Sequence, residues 1–351
     1  MKAVWLVGAI VKSFVSGEHP EQKISNCPLA SARLRMGVAA AQWKRTGNEN
    51  VFLDPEDPQA MENIDLGEAE LCIVPKFFSD SRFDPWLEAC SSAKKNGSRV
   101  VLDICDSPYH KRPLSVRRFY DEVMRFCDGV TVNSEKMAEL IAPHTPHRPL
   151  VIEDAVIGAS RKPEFEPGAI LRLLWFGHPR NLHFLRSCLE SLIAYTTQRR
   201  CSLTIVTEDG FGAAELAREI QSGFAPAFKA QFVPWSLEAM KIALRNCDLV
   251  LLPSDPSNPI KAGASANRIA EALNVGRFPI ASPLPSYLAF SQSAWLGSDL
   301  IEGIKWSLAN RGEVLARLRR GQALVAEKFA PEKLGREWCA FFESLVHLRQ
   351  S

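Results

Sequence analysis

The chain has 351 residues, with 42 Lys and Arg against 40 Asp and Glu, a formal net charge of +2. That length exceeds what one hydrophobic core usually serves, so two domains are expected, and a 46% hydrophobic, 23% charged composition excludes the disordered and fibrous classes. The small net charge excludes a dedicated nucleic-acid binder, and the longest apolar runs are far shorter than the roughly 20 residues that cross a bilayer.

Residues 3 to 8 read as a first buried strand rather than a leader, because "KSFVSGEHPEQ" offers no small-residue cleavage site. A helix is predicted over about 30 to 45, a strand at 71 to 75, a helix at 86 to 97 and a strand at 99 to 105. A helix near 115 to 127, a strand at 129 to 134, a helix near 135 to 142 and a strand at 149 to 154 follow. This alternation predicts a doubly wound parallel α/β sheet. The polar, proline-bearing stretch 158 to 169 reads as a linker, after which the alternation restarts. Strands are predicted at 171 to 177, 202 to 207, 230 to 235, 248 to 254 and 278 to 282, with helices between them and two more near 299 to 328 and 331 to 348. The expected organisation is therefore two Rossmann-like domains, 1 to 157 and 170 to 330, and a last segment from 331 to 351. Nine cysteines, odd in number and outside any CxxC or Cys/His spacing, predict reduced thiols in a cytoplasmic protein rather than disulfides or a zinc site.

Ligands of open α/β sheets bind outside the carboxyl ends of the strands, so two such domains facing a cleft would line it with post-strand loops. In "PSDPSNPIKAGASAN", Ser265 stands where a helix N-cap is expected, and the amides after it would meet a phosphate at the positive end of the helix dipole. Lys261 adds a full charge, and Glu271, six residues after Ser265, can accept hydrogen bonds from ribose hydroxyls. A nucleoside diphosphate fits that arrangement. The alternative is a plain helix in which Ser265 caps, Glu271 is solvated or pairs with Arg268, and Gly276 ends the helix.

In "GHPRN", Gly177 permits close backbone approach, Arg180 can neutralise a pyrophosphate, His178 can reach it, and Asn181 completes the loop. In "DICDSPYHKRP", Asp106 and His110 lie past the end of a strand and can orient or deprotonate a hydroxyl; alternatively, Asp106 opens a turn through Ser107. Of Ser31, Arg33 and Arg35, expected to face acceptor or diphosphate, the two arginines cannot share a helix face, so at most one should reach a ligand. The segment 110 to 126 mixes basic and aromatic residues: Phe119, Val123 and Phe126 follow helical spacing and read as core, while a basic face there could dock on anionic lipid.

"SANRIAEALNVGRFPIASPLPSY" resembles the Glu-Ala-Leu-x-x-Gly-x-Pro-Val-x-Ala-Ser signature of GT-B glycosyltransferases, especially the retaining family 4 enzymes. The stretches 31 to 47, 173 to 181, 247 to 255 and 329 to 345 are similar to that family's first helix, donor-domain loop, pre-donor strand and closing helix, which crosses back to the N-terminal domain. The resemblance implies Glu271 on the ribose of a nucleotide sugar and Lys261, Ser265, Ala266 and Asn267 as a cradle for diphosphate and sugar. It departs at Gly263, where the family's Glu-x7-Glu motif has the glutamate that contacts the transferred sugar. It implies a nucleotide-sugar donor, a glycan or lipid-linked acceptor, no cofactor and no metal. The activity implied is retaining glycosyl transfer in polysaccharide or cell-envelope synthesis, in the cytoplasm or on the inner face of a membrane. The rivals are a non-hydrolysing nucleotide-sugar epimerase and a non-catalytic relative that only binds.

Overall fold

The first sheet is built from β1 (Lys2–Leu6), β2 (Glu49–Leu53), β3 (Leu71–Val74), β4 (Arg99–Ile104), β5 (Gly129–Val132) and β6 (Leu150–Val151), in the order β2-β1-β3-β4-β5-β6. Every neighbouring pair is parallel. Its helices are α1 (Ala9–Val15), α2 (Pro20–Ile24), α3 (Gly37–Arg45), α4 (Pro58–Glu62), α5 (Phe83–Lys95), α6 (Leu114–Met124) and α7 (Glu135–Ile141). The chain is described here from a computed structural model, over residues 1–15, 17–62, 68–77, 83–110 and 112–347. It divides into two compact units: Met1–Ile157 with Ala262–Ser265 and Lys328–Ser351, and Gly158–Lys261 with Ala266–Glu327.

Period-two burial explains why the central strands of the first unit read as continuous apolar runs. Ala3, Trp5, Leu71, Ile73 and Val101 enter one apolar cluster, and Val4, Leu6, Cys72, Val74, Val100 and Leu102 enter another on the opposite face. The first cluster is completed by the chain's last helix, Pro331–His347. Trp338 and Phe342 pack there against Trp5 and Trp43, with the Phe342 ring 5.8 Å and 5.6 Å from those two indoles. A Cβ on Gly335 would stand 2.8 Å from Gln42 Cβ, so a glycine at this point lets the last helix lie close on α3. Each large aromatic group buried this way contributes roughly 2–3 kcal/mol of transfer free energy.

The second unit repeats the scheme with β7 (Leu171–Phe176), β8 (Cys201–Thr207), β9 (Phe228–Pro234), β10 (Leu249–Leu252), β11 (Phe278–Ala281) and β12 (Trp295–Leu296). Their order is β12-β11-β10-β7-β8-β9, again parallel throughout. Between them lie α8 (Leu182–Arg186), α9 (Leu189–Tyr195), α10 (Ala213–Phe224), α11 (Leu237–Asn246), α12 (Pro259–Ala262) and α13 (Asn267–Asn274). After the sheet come α14 (Leu300–Ala309), α15 (Arg311–Lys328) and the last helix, α16. The strand reversal that sends β8 and β9 to one side of β7 and β10 and β11 to the other lies between β7 and β10, where open α/β sheets place ligands.

All nine cysteines are free thiols. Among the described residues, no helix is long and apolar enough to cross a membrane and no group of His, Cys, Asp and Glu could hold a metal ion.

Candidate functional site: the carboxyl-end rim of the second sheet

Where β7 ends, Thr207 at the end of β8 donates its hydroxyl to the Gly177 carbonyl at 2.7 Å and fixes the loop that follows. His178 caps a short 3-10 turn, Pro179–Asn181, its Nδ1 accepting from the Arg180 amide at 3.2 Å. The Arg180 side chain is exposed, whereas Asn181 is buried. Asn181 Oδ1 accepts from Lys261 Nζ at 2.5 Å, which brings a lysine 80 residues further along the chain onto the β7 loop. The same ammonium lies 5.9 Å from the centre of the Phe184 ring. Gly177, His178, Asn181 and Lys261 are thus brought together, with Arg180 in the same loop.

The helix α13 begins at Asn267, with Ala266 at its N-cap and no side-chain cap. This corrects the expectation for Ser265: the helix starts one residue later than its serine suggests, so the hydroxyl is not the cap. Gly276, at φ +69°, ends the helix as expected, and its amide donates to the Leu273 carbonyl at 2.9 Å. Glu271 is half-buried on this helix, as are Asn267 and Arg268.

Arg268 is the residue that sequence reasoning missed, having been considered only as a partner for Glu271. Its Nη1 is buried and has no hydrogen-bond partner, and the same holds for Asn267 Oδ1 and, just past β10, for Ser254 Oγ. Buried polar atoms in folded proteins are nearly always paired, so these three atoms are open to hydrogen-bond partners that the chain itself does not supply. No local motif in the sequence signals this.

In the first unit both arginine expectations are corrected. Residues Ala32–Met36 form a π-helical turn, and Arg33 and Arg35 are each buried on their own side of it. Arg33 Nη1 donates to the Cys27 carbonyl at 2.7 Å. Arg35 donates to Asp103 through Nε and Nη2, to Asp154 Oδ1 at 2.8 Å and to the Ile152 carbonyl at 2.5 Å. Burial pulls the guanidinium's pKa down, but the Asp103 and Asp154 carboxylates outweigh it and hold the group well above its ordinary value. Arg35 is a fixed cation of the core. Ser31, half-buried, precedes the turn and makes no side-chain cap.

Asp106 is paired with Lys76 Nζ at 2.6 Å and lies 3.9 Å from Arg112. The turn after it is held by Ser107, whose hydroxyl accepts from the Tyr109 amide at 3.3 Å and lies 3.5 Å from His110 Nδ1. Phe119 and Val123 are buried in α6, as their spacing predicts, Phe126 packs against the same cluster, and Arg117 and Arg118 are exposed. Lys111 of this segment lies outside the described residues. Glu153, just past β6, has a buried Oε2 without a hydrogen-bond partner, and burial, reinforced by Asp154, pushes its carboxyl up to about 7. Gly263 packs within this unit: a Cβ there would come 2.8 Å from Met137 Cε and 3.2 Å from Leu140 Cδ1.

No protein-family model and no curated protein matches the sequence. Solved structures do match it, from end to end. The Anabaena protein HepE in complex with UDP-glucose is 14% identical, with 98% of this chain and 100% of that one covered at a TM-score of 0.67. A glycosyltransferase from Rickettsia africae is 12% identical, 98% of each chain being covered at a TM-score of 0.65. Sucrose-phosphate synthase from Thermosynechococcus elongatus is 14% identical, 99% of each chain being covered at a TM-score of 0.64. The fold is GT-B. At such identities the likeness is one of architecture, two doubly wound α/β units and a last helix returned to the first of them.

Proposed function

We propose that the protein is a glycosyltransferase that moves a sugar from a nucleoside diphosphate donor to a hydroxyl of a glycan or lipid-linked acceptor. The observation that carries this reading is the convergence of Lys261, Asn181 and the His178–Arg180 turn on the strand-reversal point of the second sheet, with Glu271 on the helix that follows. Breaking a glycosidic bond to a diphosphate leaves its electron pair, and so negative charge, on the departing phosphate. Fixed cations aimed at that charge stabilise the transition state more than the ground state. Lys261 and Arg180 supply them, the amides following Ser265, Ala266 and Asn267 add dipoles, and Glu271 receives the ribose hydroxyls. These side chains take the place of a metal. The likeness to a fold whose solved examples include complexes with UDP and UDP-glucose supports a nucleotide in this place.

The first unit is assigned to the acceptor, with Asp106 and His110 positioned for its hydroxyl or for the transferred sugar. Retention of configuration, a role in polysaccharide or cell-envelope synthesis and a cytoplasmic location with peripheral contact on anionic lipid through Arg117 and Arg118 complete the reading. Recognition of the transferred sugar is assigned to Lys261 and Asn267, since Gly263 offers no carboxylate.

The test is release of free nucleotide from UDP, GDP, ADP, TDP and CDP sugars with and without hydroxyl acceptors. Acceptor-dependent release from one donor class supports transfer. Isomerisation of a donor without any acceptor would replace this reading with an epimerase, and tight binding without turnover would replace it with a binding protein.

A further inference from the structure

We infer that Arg268 is a further group that grips the donor's diphosphate, in addition to Lys261 and Arg180, in a subsite formed with Gly177. This rests on the reading of the second unit as a nucleotide-sugar site.

The guanidinium lies against the glycine that ends β7. A Cβ built on Gly177 would sit 3.2 Å from Arg268 Nη1, 3.7 Å from Cδ and 3.9 Å from Cζ, so a side chain there would push the guanidinium back by a few tenths of an ångström. Glycine at 177 therefore admits Arg268 to the rim that Lys261 enters by its bond to Asn181. Nη1 is buried without an acceptor, and an orphaned N–H on a charged group is costly unless a ligand supplies the missing oxygen. A phosphate does so. The planar fork of an arginine fits two phosphate oxygens, where a lysine such as Lys261 offers only a point charge. Asn267 Oδ1 and Ser254 Oγ, in the same stretch of chain, are also without a partner.

Calorimetric titration with UDP, UMP, uridine and inorganic pyrophosphate, on wild type, Arg268→Gln, Arg268→Lys and Gly177→Ala, tests this; the other nucleoside diphosphates replace UDP if UDP does not bind. Arg268→Gln should weaken the diphosphate by about 10- to 100-fold, leave the nucleoside unchanged and leave the ligand-free protein no less stable, since it removes a buried N–H that has no partner. Arg268→Lys should recover only part of the affinity. Gly177→Ala should weaken diphosphate binding by less than Arg268→Gln does, and should add nothing once Arg268 is replaced by Gln. Diphosphate binding by Arg268→Gln equal to wild type overturns the inference while leaving the nucleotide site standing. If wild type binds pyrophosphate in an Arg268-dependent way but no nucleotide, the functional reading fails and the anion subsite stands. Binding of neither overturns both.

Discussion

Replacing Arg35 by methionine should destabilise the first unit far more than loss of one side chain's packing would. Arg35 is fully buried, and its fork satisfies Asp103, which is 2% exposed, and Asp154, 7% exposed. Without it two carboxylates are left buried near one another, and removing one partner of such a network costs about 3–5 kcal/mol. For a unit of this size that corresponds to a fall in Tm of roughly 6–20 °C. The sign with pH is set by the carboxylates. Burial already pushes the Asp103 carboxyl up and Arg35 holds it back, so without the cation it rises further; the folded variant then binds a proton that the unfolded chain releases, and its deficit is largest at pH 8 and shrinks toward pH 5. Urea unfolding followed by tryptophan fluorescence reads this directly, because the Arg35 guanidinium lies 5.4 Å from the Trp338 ring. Adding Asp103→Asn should recover part of the loss. A deficit below about 1 kcal/mol, or one equal at pH 5 and pH 8, would refute the reasoning.

Three further outcomes follow from the same structure. Glu153, with a folded pKa of about 7 against an ordinary carboxyl when unfolded, should make wild-type stability fall as pH rises from about 4.5 to 7 and level off above; Glu153→Gln should remove that slope and be more stable at pH 8 by about 1–3 kcal/mol. Gly276→Ala should cost about 1–3 kcal/mol or more in thermal unfolding, because the position is at φ +69° and a Cβ would meet the Lys162 carbonyl oxygen at 2.7 Å. Asp299→Ala should lower stability by about 1 kcal/mol, since its carboxylate caps α14 by accepting from the amides of Ile301 and Glu302.

Much of the fold is legible in the sequence because parallel strands buried on both faces announce themselves as short apolar runs, as at 71–74 and 249–252. β2 is not, because Glu49 and Asn50 open it and only its end is buried, and β12 has two residues. Between β7 and β8 the helical stretch is two helices, α8 and α9, broken at Ser187 and Cys188. Within the site, Gly276 is readable since a helix stop is a local event. Ser265 misleads for the same reason: cap preference is local, but where α13 starts is decided by the packing of Ile269, Ala270 and Leu273. Arg35 looks like a ligand arginine until Asp103 and Asp154, 68 and 119 residues away, are seen to meet it. Arg268 needs the opposite kind of information, an acceptor that the folded chain fails to provide.

Thermal stabilisation by nucleoside diphosphate sugars, compared between wild type and Glu271→Ala, tests most directly whether the second unit holds the donor. At 100 times its dissociation constant the correct donor should add about 2.7 kcal/mol to wild type and clearly less to Glu271→Ala. Equal stabilisation of both proteins would take ribose recognition away from Glu271, and no stabilisation of wild type by any donor would contradict the nucleotide-sugar site itself.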